Sequence, residues 1–491
     1  MRQLRDPLLI TILILSVALG SLHLTYGQDW GDDFAEYIMQ AKSISQRNMP
    51  EFIQRNSFTT NTSSDFMGAA AYPWGYPFII APVFAVAGLN LMALKLPTLL
   101  CYGGFLICLF ILMRRKLDRG KSLLMVALFA FNPTLLRFLD EILSDVPFLF
   151  FGTLTLLLID FFVDDHQATI AWALGLIIFT AFFIRTTGIL LLIALSIVQI
   201  IQIIRYRNDR VLIRKTIQST LIVWLVFGAL CLISALIFPT GSESYFSGLA
   251  NFSVQTFLDN VSSYFQIFGA FFGTGIISSI IYYFTIIFFA LGLWTRKRSD
   301  VLFIIYFFLT IASLIIWPYF QGIRLIWPVL PLFLYFVFQG FSFVIEHLPW
   351  KHNAIGKVVF YGFWLLLVIF FFFTSTAYAY TNIKNNRQLP GPFDTYSIQM
   401  YDFIKNETPA DSVIIFFKPR ILDLMTDRDA FESTKCGPMH PGDYIVLVRG
   451  TSQYRQIPDG QIGTCHLDLR EVFKNEQFFA YQIPIPSQKM R

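Results

Sequence analysis

The feature that most constrains this chain is a series of about eleven apolar stretches, most of them near the roughly 20 residues that a helix needs to cross a bilayer. They lie near residues 7–26, 90–113, 121–137, 143–163, 168–184, 186–204, 216–238, 267–294, 300–318, 324–345 and 355–380. A soluble domain cannot bury so many apolar helices in one core. The sequence therefore predicts an α-helical polytopic membrane protein with about eleven transmembrane helices.

Composition agrees with this class and excludes another. Of 491 residues, 55% are hydrophobic and 14% are charged, whereas a soluble protein has about 25% charged residues. The net charge of +5 comes from short basic clusters between apolar stretches. A nucleic-acid-binding protein concentrates such residues on one face of a domain. We therefore expect no nucleic-acid partner.

The basic clusters also predict the orientation in the membrane. Cytoplasmic connections of membrane proteins are enriched in Lys and Arg. If the N-terminus is cytoplasmic, the outer connections between spans are nearly bare of Lys and Arg, and the inner connections contain Arg114, Arg115, Lys116, Arg119, Lys121, Arg205, Arg207, Arg210, Arg214, Lys215, Arg296, Lys297, Arg298, Lys351 and Lys357. We expect a multi-pass protein of the plasma (inner) membrane with a cytoplasmic N-terminus and an extracytoplasmic C-terminal domain.

Two polar parts are predicted on the outer side. Residues 27–75 form a long first outer loop whose helical patterning and aromatic residues indicate interfacial helices, and this loop is counted with a transmembrane domain of residues 1–381. Residues 382–491 contain the strand-like segments "SVIIFF", "DYIVLV" and "FFAYQI" after the helix-like "SIQMYDFIKNET". They predict a small extracytoplasmic α/β domain.

The polar cysteines of this domain, Cys436 and Cys465, have three interpretations. A disulfide is favoured for an extracytoplasmic domain, and two free thiols are nearly as consistent with the sequence. Zinc binding together with His440 and His466 is disfavoured, because "CGPMH" and "CH" do not match a common ligand spacing. No metal is assigned here.

The stretch "QDWGDDFAEYIMQAK" places several acids directly after the first apolar segment. On a helix, Asp32 and Glu36 share one face, as do Asp33 and Tyr37, because residues four apart lie one turn above each other. Carboxylates grouped at a membrane surface serve as a general base or hold a cation. The alternative is that these acids cap the helix and favour its dipole.

A second acidic group occurs in "RFLDEILSDVPFLFF", at the predicted outer turn between the third and fourth spans. Glu141 and Asp145 are four residues apart and are expected on one helix face, with Asp140 beside them. Ionisable groups at the edge of a span usually pair with other groups or carry out chemistry. Helix capping by Ser144 or Asp145 is the alternative, and it leaves Glu141 unexplained.

Two arginines lie at the same predicted level. Arg185 in "FFIRTTG" has almost no polar loop around it, and Arg324 in "WPYFQGIRLIWPVLP" follows a proline. The planar guanidinium binds phosphate through two parallel hydrogen bonds, which suits a lipid phosphate. The alternative is that both side chains extend to the interface without a ligand.

These residues, in these places, resemble the C superfamily of membrane glycosyltransferases, in the branch of protein O-mannosyltransferases and lipid A aminoarabinose transferases (glycosyltransferase family 39-like). "GDDFAEYIMQAKSI" is similar to the first-loop motif of that branch. "DEILSDVPF" is similar to a segment at its fourth span, and "GIRLIWPVLPLFLYF" is similar to a segment of many members in which a basic residue precedes prolines. The resemblance implies transfer of a sugar from a polyprenyl-phosphate donor to an acceptor hydroxyl on the outer membrane face.

The resemblance also implies roles for individual residues. Asp33 is the better match to the catalytic Asp, and Asp32 is the runner-up because the doubled Asp leaves the register open. Glu141 and Asp145, with Glu36, correspond to a second acidic site. Arg324 corresponds to the residue that holds the donor phosphate, and the position of Arg185 suits the same task.

The expected partners are a polyprenyl-phosphate sugar, membrane lipids, and an acceptor that is a protein, a lipid or a glycan. No cofactor is required, and a divalent cation remains an option because both metal-dependent and metal-independent members occur.

Two other functions are weighed. A lipid-linked polysaccharide polymerase or ligase has basic residues on its outer side and usually a large mid-chain outer loop. Here the mid-chain loop, residues 239–266, is modest in length and contains no Lys or Arg. A transporter or flippase places its ionisable residues at the bilayer midplane, whereas this sequence predicts them at the outer edge of the membrane.

Overall fold

The computed structural model describes residues 5–241, 248–250, 252–347, 353–436, 439, 441–450, 454–465 and 469–483. The chain divides into two compact units. The first unit comprises Met1–Leu24, Lys95–Leu236 and Leu249–Lys384, and the second comprises Thr25–Leu94, Ile237–Gly248 and Asn385–Arg491. Each unit is described separately below.

The described residues are mainly helical. In chain order the α-helices are α1 Pro7–His23, α2 Asp32–Gln46, α3 Met49–Thr62, α4 Gly75–Ala87, α5 Leu91–Arg114, α6 Arg119–Ala130, α7 Pro133–Phe138, α8 Asp145–Asp165, α9 Ala168–Ile184, α10 Ile189–Arg205, α11 Arg210–Ile237, α12 Val254–Ile267, α13 Ile276–Arg296, α14 Val301–Ile316, α15 Leu330–His347, α16 Asn353–Lys384, α17 Thr395–Glu407 and α18 Pro419–Thr426. Short 3₁₀ turns occur at Thr186–Gly188, Phe268–Phe272, Gly322–Leu325 and Asp459–Cys465.

The predicted class, a polytopic helical membrane protein with a small C-terminal sheet, is confirmed. Among the described residues, seven helices are long and apolar enough to cross a membrane, and they correspond to predicted spans: α5, α8, α10 with the turn before it, α11, α13, α15 and α16. Three further predicted spans are the shorter apolar helices α1, α9 and α14. An additional short apolar helix, α4, was not among the predicted spans.

One predicted span, residues 121–137, is wrong as a continuous helix. The structure has the 12-residue helix α6 and the 6-residue helix α7 in its place. The Asn132 side chain accepts a hydrogen bond from the Leu135 backbone N–H and Pro133 is the first residue of α7. Asn is a strong N-cap, and proline has no N–H to continue the preceding helix, so the chain restarts at this point.

Buried ion pairs neutralise basic residues of two predicted inner connections in the first unit. The Lys116 ammonium lies 2.7 Å from Asp160 and 3.5 Å from Asp300. Arg296 pairs with the same Asp300, whose side chain is buried, at 2.6 Å. Charges removed from water need such partners. The basic clusters are therefore part of the packing of this unit as well as indicators of its orientation.

The second unit contains a five-stranded sheet. Its strands are β1 Ile414–Ile415, β2 Ala430–Phe431, β3 Tyr444–Val448, β4 Arg470–Lys474 and β5 Phe478–Gln482. Their order is β2-β1-β3-β5-β4, with β1 parallel to β2 and β3, and β5 antiparallel to β3 and β4. Buried apolar residues such as Ile415, Ile445 and Leu447 form the core of this sheet.

The C-terminal secondary structure was largely predictable. The three expected strands correspond to β1, β3 and β5, and the expected helix corresponds to α17. The short elements α18, β2 and β4 were not foreseen. The compact units group the first loop with the C-terminal residues, whereas the predicted division at residue 381 counted that loop with the spans; that division remains a prediction.

Cys436 and Cys465 form a disulfide, which was the interpretation favoured from the sequence. Both cysteines pack against the core of the sheet. His440 and His466, the other residues of the zinc interpretation, lie outside the described residues. The sulfur atoms are thus used in a covalent cross-link of the second unit.

Candidate functional site

The acidic stretch begins helix α2 without capping it. The N-cap residue is Gly31, which has no side chain, and Asp32 and Asp33 occupy the first helical turn. Neither aspartate occupies the N-cap position. The capping alternative therefore does not account for these two acids. Their negative charge at a helix N-terminus remains favourable for the helix dipole.

Asp33 is held by a tyrosine from the loop that precedes α4. The Tyr72 hydroxyl donates a hydrogen bond of 2.8 Å to Asp33 Oδ1. The ring of Tyr37, one turn further along α2, packs between the rings of Tyr72 and Tyr76 at 5.2 and 5.1 Å. This aromatic group fixes the direction from which the hydroxyl approaches the carboxylate.

Glu36 and Arg420 form a buried ion pair in the second unit. Arg420 Nη1 lies 2.9 Å from Glu36 Oε2, and the side chains are 1% and 0% exposed. The Tyr72 backbone N–H donates to Glu36 Oε1 at 2.9 Å. Burial raises the pKa of Glu36, and the charge of Arg420 opposes that rise. Arg420 stays charged because a guanidinium does not lose its proton in proteins.

Asp32 has a different environment from Asp33. The residue is half-buried, and both of its carboxylate oxygens are out of contact with solvent, with the Arg420 backbone N–H close enough to stabilise the ionised form. Burial raises the pKa of the Asp32 carboxyl, while the charges of Lys418 and Arg420 oppose that rise. The two adjacent aspartates are therefore distinguishable: Asp33 accepts a defined hydrogen bond, and Asp32 is a desolvated acid.

A further buried acid, Glu432, follows β2. It is 2% exposed, and burial together with the nearby Asp65 raises its pKa to about 7. A folded-state pKa above the unfolded value means that the folded protein holds a proton that the unfolded chain has lost. The proton on Glu432 therefore stabilises the folded protein at low pH, and this stabilisation is lost as pH rises from about 4.5 to about 7.

We expect Glu432→Gln to flatten the pH dependence of stability in that interval. Glutamine resembles the neutral carboxyl, so the variant should have a thermal midpoint close to the natural protein at pH 5 and a higher one at pH 8. The measurement is the thermal midpoint of the full-length protein in detergent at both pH values. The exposed Glu407→Gln serves as the control. An equal pH dependence in the Glu432→Gln and natural proteins would contradict the assignment.

In the first unit, the structure brings together three residues that the sequence singled out. Arg185 Nη1 donates to Asp145 Oδ1 at 2.8 Å, and Arg324 contacts the same carboxylate through Nε at 3.3 Å and Nη2 at 3.2 Å. Asp145 is buried, while the arginine side chains are 15% and 19% exposed. The two guanidiniums thus converge on one buried carboxylate.

Local structure explains how these three side chains meet. Asp145 is the first residue of α8, and Ser144 occupies the N-cap position without a side-chain capping bond. Arg185 is the extended residue at which α9 ends, and Arg324 lies in a 3₁₀ turn that begins at Gly322, where φ is +63°. All three residues therefore lie at or near the ends of helices. Both arginines form an ion pair with Asp145, in addition to any contact with the membrane interface.

The remaining acids of this group have separate positions. Glu141 is half-buried in the turn between α7 and α8. The expectation that it shares a helix face with Asp145 is wrong, because α8 begins only at Asp145. Asp140 is bound by the Lys95 ammonium at 2.7 Å, and Lys95 is completely buried in α5. Glu36, which was grouped with Glu141 and Asp145, is bound to Arg420 in the second unit.

No metal is assigned to these acids. In the part of the chain that the structure describes, no group of three or more histidine, cysteine, aspartate or glutamate side chains has the geometry to hold an ion. The cation that the sequence left as an option thus has no residues assigned to it.

Several residues at these sites were not selected from the sequence: Tyr72, Lys95, Arg420 and Glu432. Lys95 was identifiable from the sequence as a paired residue, because a lone lysine within an apolar stretch is expensive to bury and usually has a partner. Arg420 had none, because it contacts a residue that is hundreds of positions away in the chain. Tyr72 lies in the aromatic "AYPWGYP" stretch, where the sequence indicated only a break between helices.

Comparisons with known proteins are consistent with this architecture. Residues 72–238 match the family model described as dolichyl-phosphate-mannose-protein mannosyltransferase, which covers less than half of the chain. A search of curated protein sequences finds no significant match.

Solved structures match over most of the chain. ArnT from Cupriavidus metallidurans in the apo state has a TM-score of 0.58 at 10% identity, and the match covers 96% of this chain and 97% of ArnT. The same protein bound to undecaprenyl phosphate has a TM-score of 0.54 at 12% identity, with the same coverage of both chains.

The archaeal oligosaccharyltransferase AglB from Archaeoglobus fulgidus, in complex with an inhibitory peptide and a dolichol-phosphate, has a TM-score of 0.56 at 10% identity. That match covers 91% of this chain and 70% of AglB. At such low identity these likenesses establish the fold, which is that of GT-C glycosyltransferases. The resemblance recognised from the sequence is thereby confirmed, and the protein is a multi-pass membrane protein of this fold.

Proposed function

We propose that this chain, which has the fold of the C-superfamily glycosyltransferases, moves a sugar from a polyprenyl-phosphate carrier to an acceptor hydroxyl on the outer face of the plasma membrane. The family match and the fold support a membrane glycosyltransferase of the GT-C type. The roles of individual residues, the donor and the side of the membrane are parts of the proposal.

The observation that carries the donor assignment is the trio of Asp145, Arg185 and Arg324. Two partly exposed guanidiniums converge on one buried carboxylate, and a pair of planar cationic groups so placed suits a phosphate. Among the described residues, the Arg185 side chain donates one hydrogen bond, through Nη1, so its Nε and Nη2 donors can serve a ligand. Asp145 orients both planar groups, and a pre-oriented guanidinium binds phosphate oxygens with little loss of side-chain freedom.

The proposed chemistry balances without a nucleotide. The acceptor oxygen attacks the anomeric carbon, the bond from that carbon to the phosphate oxygen breaks, and the electron pair of that bond leaves with polyprenyl phosphate. The arginines stabilise the charge that develops on the leaving phosphate. The acceptor hydroxyl gives its proton to a carboxylate base. A single displacement of this kind inverts the anomeric configuration.

Asp33 is the proposed base. The Tyr72 hydroxyl donates to Oδ1 of Asp33, and a hydrogen bond of this kind favours the ionised carboxylate that a base requires. Asp32 remains the runner-up. Glu36 has a different task, since it is fully buried against Arg420. Glu141 and Asp145 are kept as the proposed second acidic site, where Asp145 orients the arginines.

Turnover of lipid-linked sugars tests this function. Purified protein in lipid vesicles would be incubated with a total extract of polyprenyl-phosphate sugars and with candidate acceptors, and the lipids would be followed by mass spectrometry. We expect one class of polyprenyl-phosphate sugar to disappear while polyprenyl phosphate accumulates. If no lipid-linked sugar is consumed by the natural protein in the presence of protein, lipid and glycan acceptors, the proposal is wrong.

The proposed orientation is tested by cysteine labelling. We would replace the free cysteines Cys101, Cys108 and Cys231, and introduce one reporter at a time at Glu407 or Arg207, which are both exposed. A membrane-impermeant maleimide should label Glu407→Cys in intact cells and label Arg207→Cys only after the membrane is opened. The reverse pattern would place the second unit in the cytoplasm and remove the basis for an outer-face reaction.

A further inference from the structure

Arg420 is a completely buried arginine near the start of α18, in the C-terminal part of the chain. Besides its ion pair with Glu36, it donates through Nε to the Asn56 side chain at 3.1 Å and through Nη2 to the Ala69 carbonyl at 3.2 Å. A third hydrogen bond runs from Nη1 to the Tyr72 hydroxyl at 3.3 Å. A buried arginine needs such partners for its donors. Their directions hold the guanidinium in one orientation.

The contact with Tyr72 fixes the position of a proton. A tyrosine hydroxyl has one hydrogen to donate and can accept from other donors. Arg420 has no acceptor atom, so the Tyr72 oxygen accepts from Arg420 and donates its own hydrogen to Asp33. Hydrogen bonds arranged in a chain strengthen one another in a desolvated site. The result is a relay from Arg420 through Tyr72 to Asp33.

Helix α18 is itself fixed to the first-loop helices. Arg55 of α3 contacts Asp423 at 2.7 Å and Asp427 at 2.8 Å, one on α18 and one at its C-terminal end. The guanidinium of Arg420 also lies over the Tyr72 ring, 5.4 Å from its centre. Arg420 is therefore presented to Tyr72 from a helix with defined contacts and not from a flexible loop.

We propose that Arg420 is a positioning residue for Asp33, acting through Tyr72, so that the C-terminal segment supplies part of the acidic site. This role rests on the proposed function, in which Asp33 is the base. Arg420 touches neither donor nor acceptor in this account. It holds the Tyr72 hydroxyl so that its hydrogen points at Asp33 and the carboxylate stays ionised and correctly turned.

The neighbourhood contains other groups that titrate or carry charge, and the test has to distinguish them. They are Asp32, Glu36 and Tyr37 on α2, Tyr72 in the loop, Tyr76 on α4, Lys418 and Arg420 at the start of α18, and Glu432 after β2. Variants that keep the Glu36 ion pair are therefore the most informative ones.

Two such variants are Tyr72→Phe and Arg420→Lys. The first keeps the ring and removes the hydroxyl. The second keeps a positive charge beside Glu36 but lacks the planar group that reaches Tyr72 at the same time. We expect each to lower kcat by about tenfold below neutral pH, with little change in KM, and to move the acid limb of the kcat profile up by about one pH unit. The shift is upward because a base that loses a hydrogen bond to its ionised form needs a higher pH to ionise.

The double variant and a control complete the experiment. If both residues act through one relay, Tyr72→Phe with Arg420→Lys should be no worse than the more affected single variant. Tyr401→Phe is the matched control, since this buried hydroxyl has no hydrogen-bond partner in the described part of the chain, and it should behave like the natural protein.

The outcomes separate this role from the proposed function. An acid limb that stays in place in both single variants, or losses that multiply in the double variant, would overturn the positioning role while leaving sugar transfer established. A natural protein that transfers no sugar would overturn the proposed function and the role that rests on it. Reduced thermal stability with an unmoved profile would make Arg420 a structural residue only.

Discussion

Replacing Asp33 with asparagine should reduce sugar transfer by about 100-fold or more, the usual scale for the loss of a general base. Asparagine keeps the shape of the side chain and an Oδ1 that still accepts from the Tyr72 hydroxyl, so the fold of the second unit should be preserved. Binding of a polyprenyl phosphate should stay near that of the natural protein, because the change removes a proton acceptor and no phosphate ligand. The measurement is the initial rate of transfer together with lipid-phosphate affinity.

The matched control is Asp29→Asn, which makes the same chemical change at an exposed position three residues before α2. We expect it to be fully active. Full transfer by Asp33→Asn would mean that the reaction does not need a carboxylate at this position. Full transfer by Asp33→Asn with loss in Asp32→Asn would move the role to the neighbouring acid.

Replacing Arg324 with alanine should weaken binding of a polyprenyl phosphate by about 10- to 100-fold, the scale of losing charge-assisted hydrogen bonds. Asp145 keeps its bond to Arg185 in this variant, so the buried carboxylate is not left alone and the first unit should remain folded. Arg324→Lys should be intermediate, because lysine restores the charge but not the two parallel donors. Affinity for a long-chain polyprenyl phosphate in detergent is the quantity to measure.

Arg298→Ala provides the comparison, since this arginine is exposed in a connection predicted to be cytoplasmic. It should bind the lipid phosphate as the natural protein does. Unchanged affinity in Arg324→Ala would reduce Arg324 to a structural partner of Asp145. A large loss of thermal stability in Arg324→Ala but not in Arg324→Lys would show that the charge matters for folding, and the affinity of the lysine variant would then decide the phosphate role.

Much of the architecture was predictable because it depends on local patterns. The apolar stretches determine the spans, and β-branched and aromatic residues in "DYIVLV" determine β3. The interruption at Asn132 and Pro133 was also legible, since a capping residue before a proline begins a new helix. The apolar residues on both sides make this break resemble a continuous span in sequence.

The sites were predictable only in part because their partners are distant in sequence. The sequence selected Asp145, Arg185 and Arg324, and the structure joins all three. The sequence does not predict the ion pair between Glu36 and Arg420, because no local pattern specifies which buried arginine a carboxylate contacts. Acids at the start of a helix are commonly explained by capping, and only the structure shows that Gly31 occupies the N-cap position.

The most direct measurement of the central claim is the stoichiometry and stereochemistry of a single turnover. A vesicle-reconstituted natural protein would be given one polyprenyl-phosphate sugar of known anomeric configuration, and the product would be examined by NMR and mass spectrometry. We predict one polyprenyl phosphate released for each acceptor glycosylated, with the anomeric configuration inverted. Recovery of the intact lipid-linked sugar in the opposite leaflet, with no bond to the phosphate broken, would contradict the account and make the protein a transporter.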